Sequence, residues 1–162
     1  MQTCKKMKWL ILGVAAGFAI SVSQNIFAVS AMSGVIRETS DRGVAYMMGG
    51  IGIGEREVME SWGQDYNLKL SFTEQSGVYL ADVGVVVEDR NGNELINMTT
   101  NGPWLYLRLP SGSYTVESTY NDEMKRIENL RVSDGSHAQR VVRWDLPQDF
   151  PVYASMKKSE ER

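Results

Sequence analysis

Trp104-Leu105-Tyr106-Leu107-Arg108-Leu109-Pro110-Ser111-Gly112-Ser113-Tyr114-Thr115-Val116-Glu117 is the stretch that decides the fold. Leu105, Leu107 and Leu109 alternate with Trp104, Tyr106 and Arg108, which is the period of a strand with one face in a core. Pro110 presets the backbone angle of the second turn position and Gly112 accepts positive φ, so the chain reverses there. Tyr114 and Val116 then share one face of the return strand, opposite Thr115 and Glu117, and the unit reads as a β-hairpin.

On the N-terminal side, Tyr66, Leu68, Leu70 and Phe72 alternate with Asn67, Lys69 and Ser71, the cleanest strand signal in the chain. Val78 and Leu80 continue that pattern, but Val83, Val85 and Val87 fall on the opposite parity. A one-residue slip turns every side chain over, which predicts a β-bulge at Ala81-Asp82. Asn91-Gly92 signals a tight hairpin, Leu95 to Thr100 a return strand, and Asn101-Gly102-Pro103 the turn into the central hairpin. On the C-terminal side, Asn121-Asp122-Glu123 and Asp134-Gly135 separate strands over Met124 to Val132 and His137 to Leu146. Counted from Tyr66, that makes seven short strands with no helix between them. The expected class is all-β, an antiparallel sandwich over residues 66–146.

The first residues read differently. Lys5, Lys6 and Lys8 precede an apolar run from Trp9 to Ile20, then small and polar residues with possible cleavage points after Ala28 or Ala31. This is the pattern of a secretory signal peptide over residues 1–28, and the run falls short of the roughly 20 residues that span a bilayer. The expected location is periplasmic or secreted, without membrane insertion after cleavage. Residues 29–65 form a Gly-rich lead-in with one short helix over 55–62. Glu55 and Glu57 favour its positive end, Gly63 stops it, and Val58, Met59 and Trp62 form an apolar edge that packs as a lid over an open end of the sheet. Residues 147–162, with Pro147, Pro151 and a charged end, read as a flexible tail.

Composition narrows the function. The formal net charge is −3, and loss of Lys5, Lys6 and Lys8 with the leader takes it to −6. An acidic chain without a basic cluster is a poor match for nucleic acid. The one cysteine, Cys4, lies before the apolar run, so no disulfide and no lipid attachment are expected. The one histidine, His137, follows Asp134-Gly135-Ser136 in a turn, without the orienting partner a catalytic base needs. One imidazole cannot build a zinc or copper site, and Asp82, Glu88, Asp89, Asp122 and Glu123 follow no calcium-loop spacing. Gly49-Gly50-Ile51-Gly52-Ile53-Gly54 lacks the Lys-Ser/Thr that closes a phosphate loop. No cofactor, no metal and no enzymatic activity are expected.

Three stretches carry a family resemblance: Val83-Gly84-Val85-Val86-Val87-Glu88-Asp89-Arg90-Asn91-Gly92, Thr99-Thr100-Asn101-Gly102, and Leu109-Pro110-Ser111-Gly112-Ser113-Tyr114-Thr115-Val116. Together they resemble the carboxypeptidase regulatory-like domains. The resemblance implies a transthyretin-like, seven-stranded β-sandwich and the role of an accessory module that supports or links another protein. One departure is that Pro103-Trp104 follows Gly102, where the family usually places an aromatic directly. The leading expectation is an exported, non-catalytic module that binds or braces a protein partner in the bacterial envelope. The alternative is a carbohydrate-binding module in which Trp104 and Tyr106, opposite the leucine face, form an aromatic platform.

Overall fold

A computed structural model describes residues 34–145. The signal peptide expected over 1–28 and the tail over 147–162 lie outside the described residues. The body is a β-sandwich of nine strands: β1 Ile36–Thr39, β2 Ala45–Gly49, β3 Leu68–Glu74, β4 Gly84–Asp89, β5 Glu94–Thr99, β6 Trp104–Arg108, β7 Gly112–Tyr120, β8 Glu123–Val132 and β9 Ala138–Trp144. One sheet has the order β1-β2-β6-β3-β9 and the other β5-β4-β7-β8. The one α-helix among the described residues, α1 (Ile53–Trp62), runs into a 3-10 turn at Gly63–Asp65.

Seven strands follow Tyr66, and two more precede it. The segment 33–65 showed little periodicity because β2 (Ala-Tyr-Met-Met-Gly) is buried along nearly its whole length, so neither of its faces is polar. It pairs antiparallel with β6, from Ala45↔Arg108 to Gly49↔Trp104, and β1 closes that side of the sheet.

Leu68, Leu70, Phe72, Leu105, Leu107, Val85, Val87, Val116 and Trp144 fill the space between the sheets. The β-hairpin expected over residues 104–117 does not form: β6 pairs with β2 and β3 in one sheet and β7 with β4 and β8 in the other, so the turn at residues 110–112 carries the chain across the sandwich, because Leu105, Leu107 and Val116 bury their shared apolar side between the sheets. The leucine face of β6 is nonetheless the inner face, as the alternation implies. Trp144, read from the sequence as core, is fully buried, and its Nε1 donates to the Glu123 carbonyl at 2.9 Å.

The expected bulge at Ala81-Asp82 is instead a change of sheet. β3 ends at Glu74, a short reversal returns Leu80 N–H to the Phe72 carbonyl, and Asp82 at φ 58° sends the chain into β4 of the other sheet. Parity flips there because one strand has stopped and another has begun. True irregularities of register lie at Val87/Glu88 and Tyr114/Val116. The Asn91-Gly92 turn is wider than a two-residue hairpin: only Gly92 has positive φ, and the Asp89 carboxylate accepts the backbone N–H groups of Asn91 and Asn93. The Asn93 side-chain amide, which donates to Asp89 Oδ2 at 2.8 Å, and then those backbone bonds hold the Asp89 carboxyl below its usual range. The two-residue geometry appears instead at Asn121-Asp122, where both residues take positive φ between paired Tyr120 and Glu123.

The sandwich is also not wholly antiparallel. β3 takes β6 antiparallel on one side and β9 parallel on the other, from Leu68↔Ala138 to Glu74↔Trp144. The turn after β8 delivers the chain to the end of β3 where that strand starts: Ala138 N–H donates to the Asn67 carbonyl, and His137 sits against Tyr66. Both strands then run the same way.

Asn67 ties this corner together. Buried at 6% exposure, it accepts from Leu109 N–H at 2.9 Å and donates Nδ2 to the Leu109 carbonyl at 2.6 Å. Both polar groups of Leu109 are inside, beyond the end of β6, and the side-chain amide stands in for a missing strand neighbour. Replacing Asn67 by Ala strands both groups and should lower the unfolding free energy by roughly 2–4 kcal/mol. Urea denaturation with an unchanged m-value checks this, and a loss under roughly 0.5 kcal/mol would contradict it.

Candidate functional site

The outer face of the five-stranded sheet can be read in rows from its register. Met47, Tyr106, Lys69 and Gln139 lie abreast on β2, β6, β3 and β9, and in the next row Gly49, Trp104, Ser71 and Val141 do the same. Helix α1 covers the β2 and β6 columns, where Met59 joins Met47, Tyr66, Trp104 and Tyr106 in a second apolar cluster. The helix thus covers a face of the sheet and not an open end of it. It also begins two residues before the expected Glu55, since Gly52 is its extended cap and Arg56 N–H reaches the Gly52 carbonyl at 3.1 Å.

Close approach of backbones seats this layer. A Cβ on Gly63 would come within 2.8 Å of Tyr106 Cε1, and one on Gly102 within 2.4 Å of the Gly49 carbonyl oxygen, so only glycine lets helix end and strand meet there. The glycine run Gly49–Gly54 binds an anion of its own: Gly50 and Ile51 N–H groups both donate to Glu55 Oε2 at 3.1 Å. Those amides are engaged within the chain, which removes the phosphate-cradle geometry.

Trp104 and Tyr106, the expected platform, are each only 6% exposed. They do stand opposite the leucines, but α1 lies over them. Their rings meet edge-on at 6.4 Å, and Tyr66 and Tyr79 extend the layer on either side. Cations line it: the Lys69 ammonium lies 3.4 Å from the Trp104 ring centre, and Arg56 approaches both Tyr79 and Trp104. The pair is a second core, and the sugar-stacking reading loses its open face. Trp104→Ala should cost about 3–5 kcal/mol of unfolding free energy. A variant as stable as the wild type in thermal and urea melts would show the ring to be dispensable.

Between the end of α1 and strand β9 the cover stops, leaving a recess of about 250 Å³. Glu60 and Gln64 form one wall, His137 and Gln139 the other, with Lys69 and Tyr106 below. Lys69 is the group that spacing alone did not single out. Its signal was an isolated cation at an outward position of the most regular strand, between uncharged Asn67 and Ser71. Its side chain is 14% exposed, and among the described residues its only ionic neighbour is Glu60 Oε1 at 4.0 Å, beyond hydrogen-bond reach. Burial lowers the Lys69 pKa, and the Glu60 charge pulls it back up in part.

His137 lines the same recess, and its Nδ1 donates to the Tyr66 carbonyl at 2.8 Å. It faces a main-chain oxygen where a catalytic base would face a carboxylate. Asp82, Glu88, Asp89, Asp122 and Glu123 do not converge, and among the described residues no group of three His, Cys, Asp or Glu side chains could hold a metal ion. The recess brings together the Lys69 ammonium, the Tyr106 phenol, the side-chain amides of Gln64 and Gln139, the His137 ring and, at its rim, the Glu60 carboxylate. A scan of protein-family models finds no match to this chain, and a search of curated proteins finds no relative.

Burial, with the Glu60 charge adding to it, pushes the Tyr106 phenol up to about 12. An unfolded tyrosine ionises near 10, about two units lower. Tyr106 therefore contributes stability that is complete below pH about 10 and is lost as pH rises through about 12. Tyrosinate absorbance should show a step near 12 shared with Tyr46, which its hydrogen bond to Glu38 also pushes up to about 12; Tyr106→Phe should remove the Tyr106 share of that step, and Glu60→Gln should move that share down slightly. Ionisation of Tyr106 near 10 would mean the phenol is not buried.

Proposed function

We propose that this chain is an exported, non-catalytic accessory domain that binds or braces another protein in the bacterial envelope, with a transthyretin-like sandwich of the carboxypeptidase regulatory-like kind. The lysine-flanked apolar run at residues 5–20 supports export to the periplasm or beyond. The resembling motifs support the family: Val83–Gly92 makes β4 and its turn, Thr99–Gly102 the exit of β5, and Leu109–Val116 the entry of β7. No helix among the described residues is long and apolar enough to cross a membrane.

One observation carries the binding reading. With α1 over β2 and β6, the outer face of β9 is the uncovered strip of the sheet, and Val141 at its middle is 48% exposed between Gln139 and Arg143. Among the described residues β9 is also a sheet edge, paired with β3 and with no strand beyond it. A free edge with an apolar residue on its open face suits a partner's strand or loop. Arg140, on the inward-facing parity of Val142 and Trp144 yet exposed, blunts the edge against indiscriminate pairing.

The test is affinity capture from envelope extract with the wild type and with Val141→Asp, a surface change that leaves the fold within about 0.5 kcal/mol. One dominant protein held by the wild type and lost by the variant is the expected result. An identical set of proteins on both, or none on the wild type, would remove this reading.

A further inference from the structure

We propose that the recess at the end of α1 is a carboxylate-binding site, in which the Lys69 ammonium and the polar groups of Gln64 and Gln139 hold the two oxygens. The inference goes beyond the accessory role and stands whether or not β9 binds a protein.

Lys69 is a cation short of hydrogen-bond acceptors. A protonated lysine has three N–H donors, and Lys69 has lost most of its water to the aromatic layer. In return it has the face of Trp104 at 3.4 Å, the more distant face of Tyr106 at 5.2 Å, and Glu60 at 4.0 Å. Cation–π contact offsets part of the lost hydration but accepts no hydrogen bond. Among the described residues nothing else meets the ammonium, while an open recess of about 250 Å³ adjoins it. Its lining includes the side-chain amides of Gln64 and Gln139, which carry N–H donors, and the Tyr106 phenol, which burial keeps protonated.

The shape of the charge favours a carboxylate over larger anions. One cation with neutral donors matches one negative charge, whereas phosphate is normally met by several cations or by a cluster of backbone amides. Here the nearest such amides, at Gly50 and Ile51, already hold Glu55. Glu60 is the competitor. Its side chain is 63% exposed and sits at the rim, so an incoming carboxylate can take the closer place on Lys69 while Glu60 turns to water.

The experiment uses the full chain with ¹³C-labelled lysine, following the Lys69 εCH2 resonance, which lies under the ring current of Trp104 and is identified by its loss in Lys69→Met. Sodium acetate and sodium benzoate are titrated at constant ionic strength, with chloride as the control anion. Saturable shifts with the carboxylates and none with chloride are expected. Tryptophan fluorescence should follow the same curve and lose it at least roughly tenfold in Lys69→Met. Glu60→Gln changes an exposed residue and should tighten binding by several-fold, since it removes the competing charge. Linear shifts common to all anions, binding that survives Lys69→Met, or binding weakened by Glu60→Gln would each overturn the proposal. N-acetyl-trialanine with a free C-terminus, compared with its C-terminal amide, identifies the source of the carboxylate. Much tighter binding of the acid form than of acetate assigns a protein chain end, equal affinities assign a free small acid, and binding of the amide as tight as the acid overturns the proposal.

Discussion

Strand β6 is buried on both faces, and most of the architecture answers to that constraint. Leu105 and Leu107 go into the space between the sheets, while Trp104 and Tyr106 go outward and still need cover. Two large aromatic side chains left in water would forfeit several kcal/mol of burial. The lead-in segment provides the cover: β2 pairs along β6, and α1 follows β2 directly and folds back over the ring pair. Without that hairpin and helix the sheet would present a broad apolar face of the kind that drives association. The seven strands after Tyr66 make a sandwich, and the residues before them make it a finished one.

The same covering act creates the candidate site. Helix α1 ends at Trp62, and the 3-10 turn that follows carries the chain back to β3, so the cover reaches β6 and stops short of β9. Lys69 stands at that boundary, its stem against Trp104 and its charge at the lip. Long cationic side chains settle at such places because the stem is apolar and the head is not. The site is therefore a by-product of how far one short helix extends, held in place by the glycine contacts at Gly63 and Gly102.

Much of this was legible in the chain. The alternation in Leu68–Phe72 and, with leucines against larger amphipathic residues, in Leu105–Leu109, together with turn residues at Gly92, Gly112, Asn121-Asp122 and Gly135, located the strands after Tyr66, although not which of them pair. β2 escaped, being apolar on both sides and too short for a period to show. The parallel pairing of β3 with β9 was hidden too, since strand direction is set by how connections cross the sandwich and leaves no local mark. Trp104 and Tyr106 were placed on the correct face, but whether that face was wet depended on α1, some forty residues away. Lys69 was visible as an isolated charge, yet its poor set of partners exists only once the helix is laid down.

The parallel pair at one side of the larger sheet also sets an order of events. β3 is among the first strands made and β9 the last, so Leu68–Glu74 keeps one flank bare until nearly seventy further residues have arrived. Contacts across such separations close slowly, and an unzipped flank is available to neighbouring chains in the meantime. A chain that emerges N-terminus first, as from the ribosome, would thus do so with β3 half-dressed, and maturation would wait on the arrival of Trp144. Among the described residues β9 acts as the fastener, and its removal would bare the flank of β3 while leaving the other eight strands in the chain.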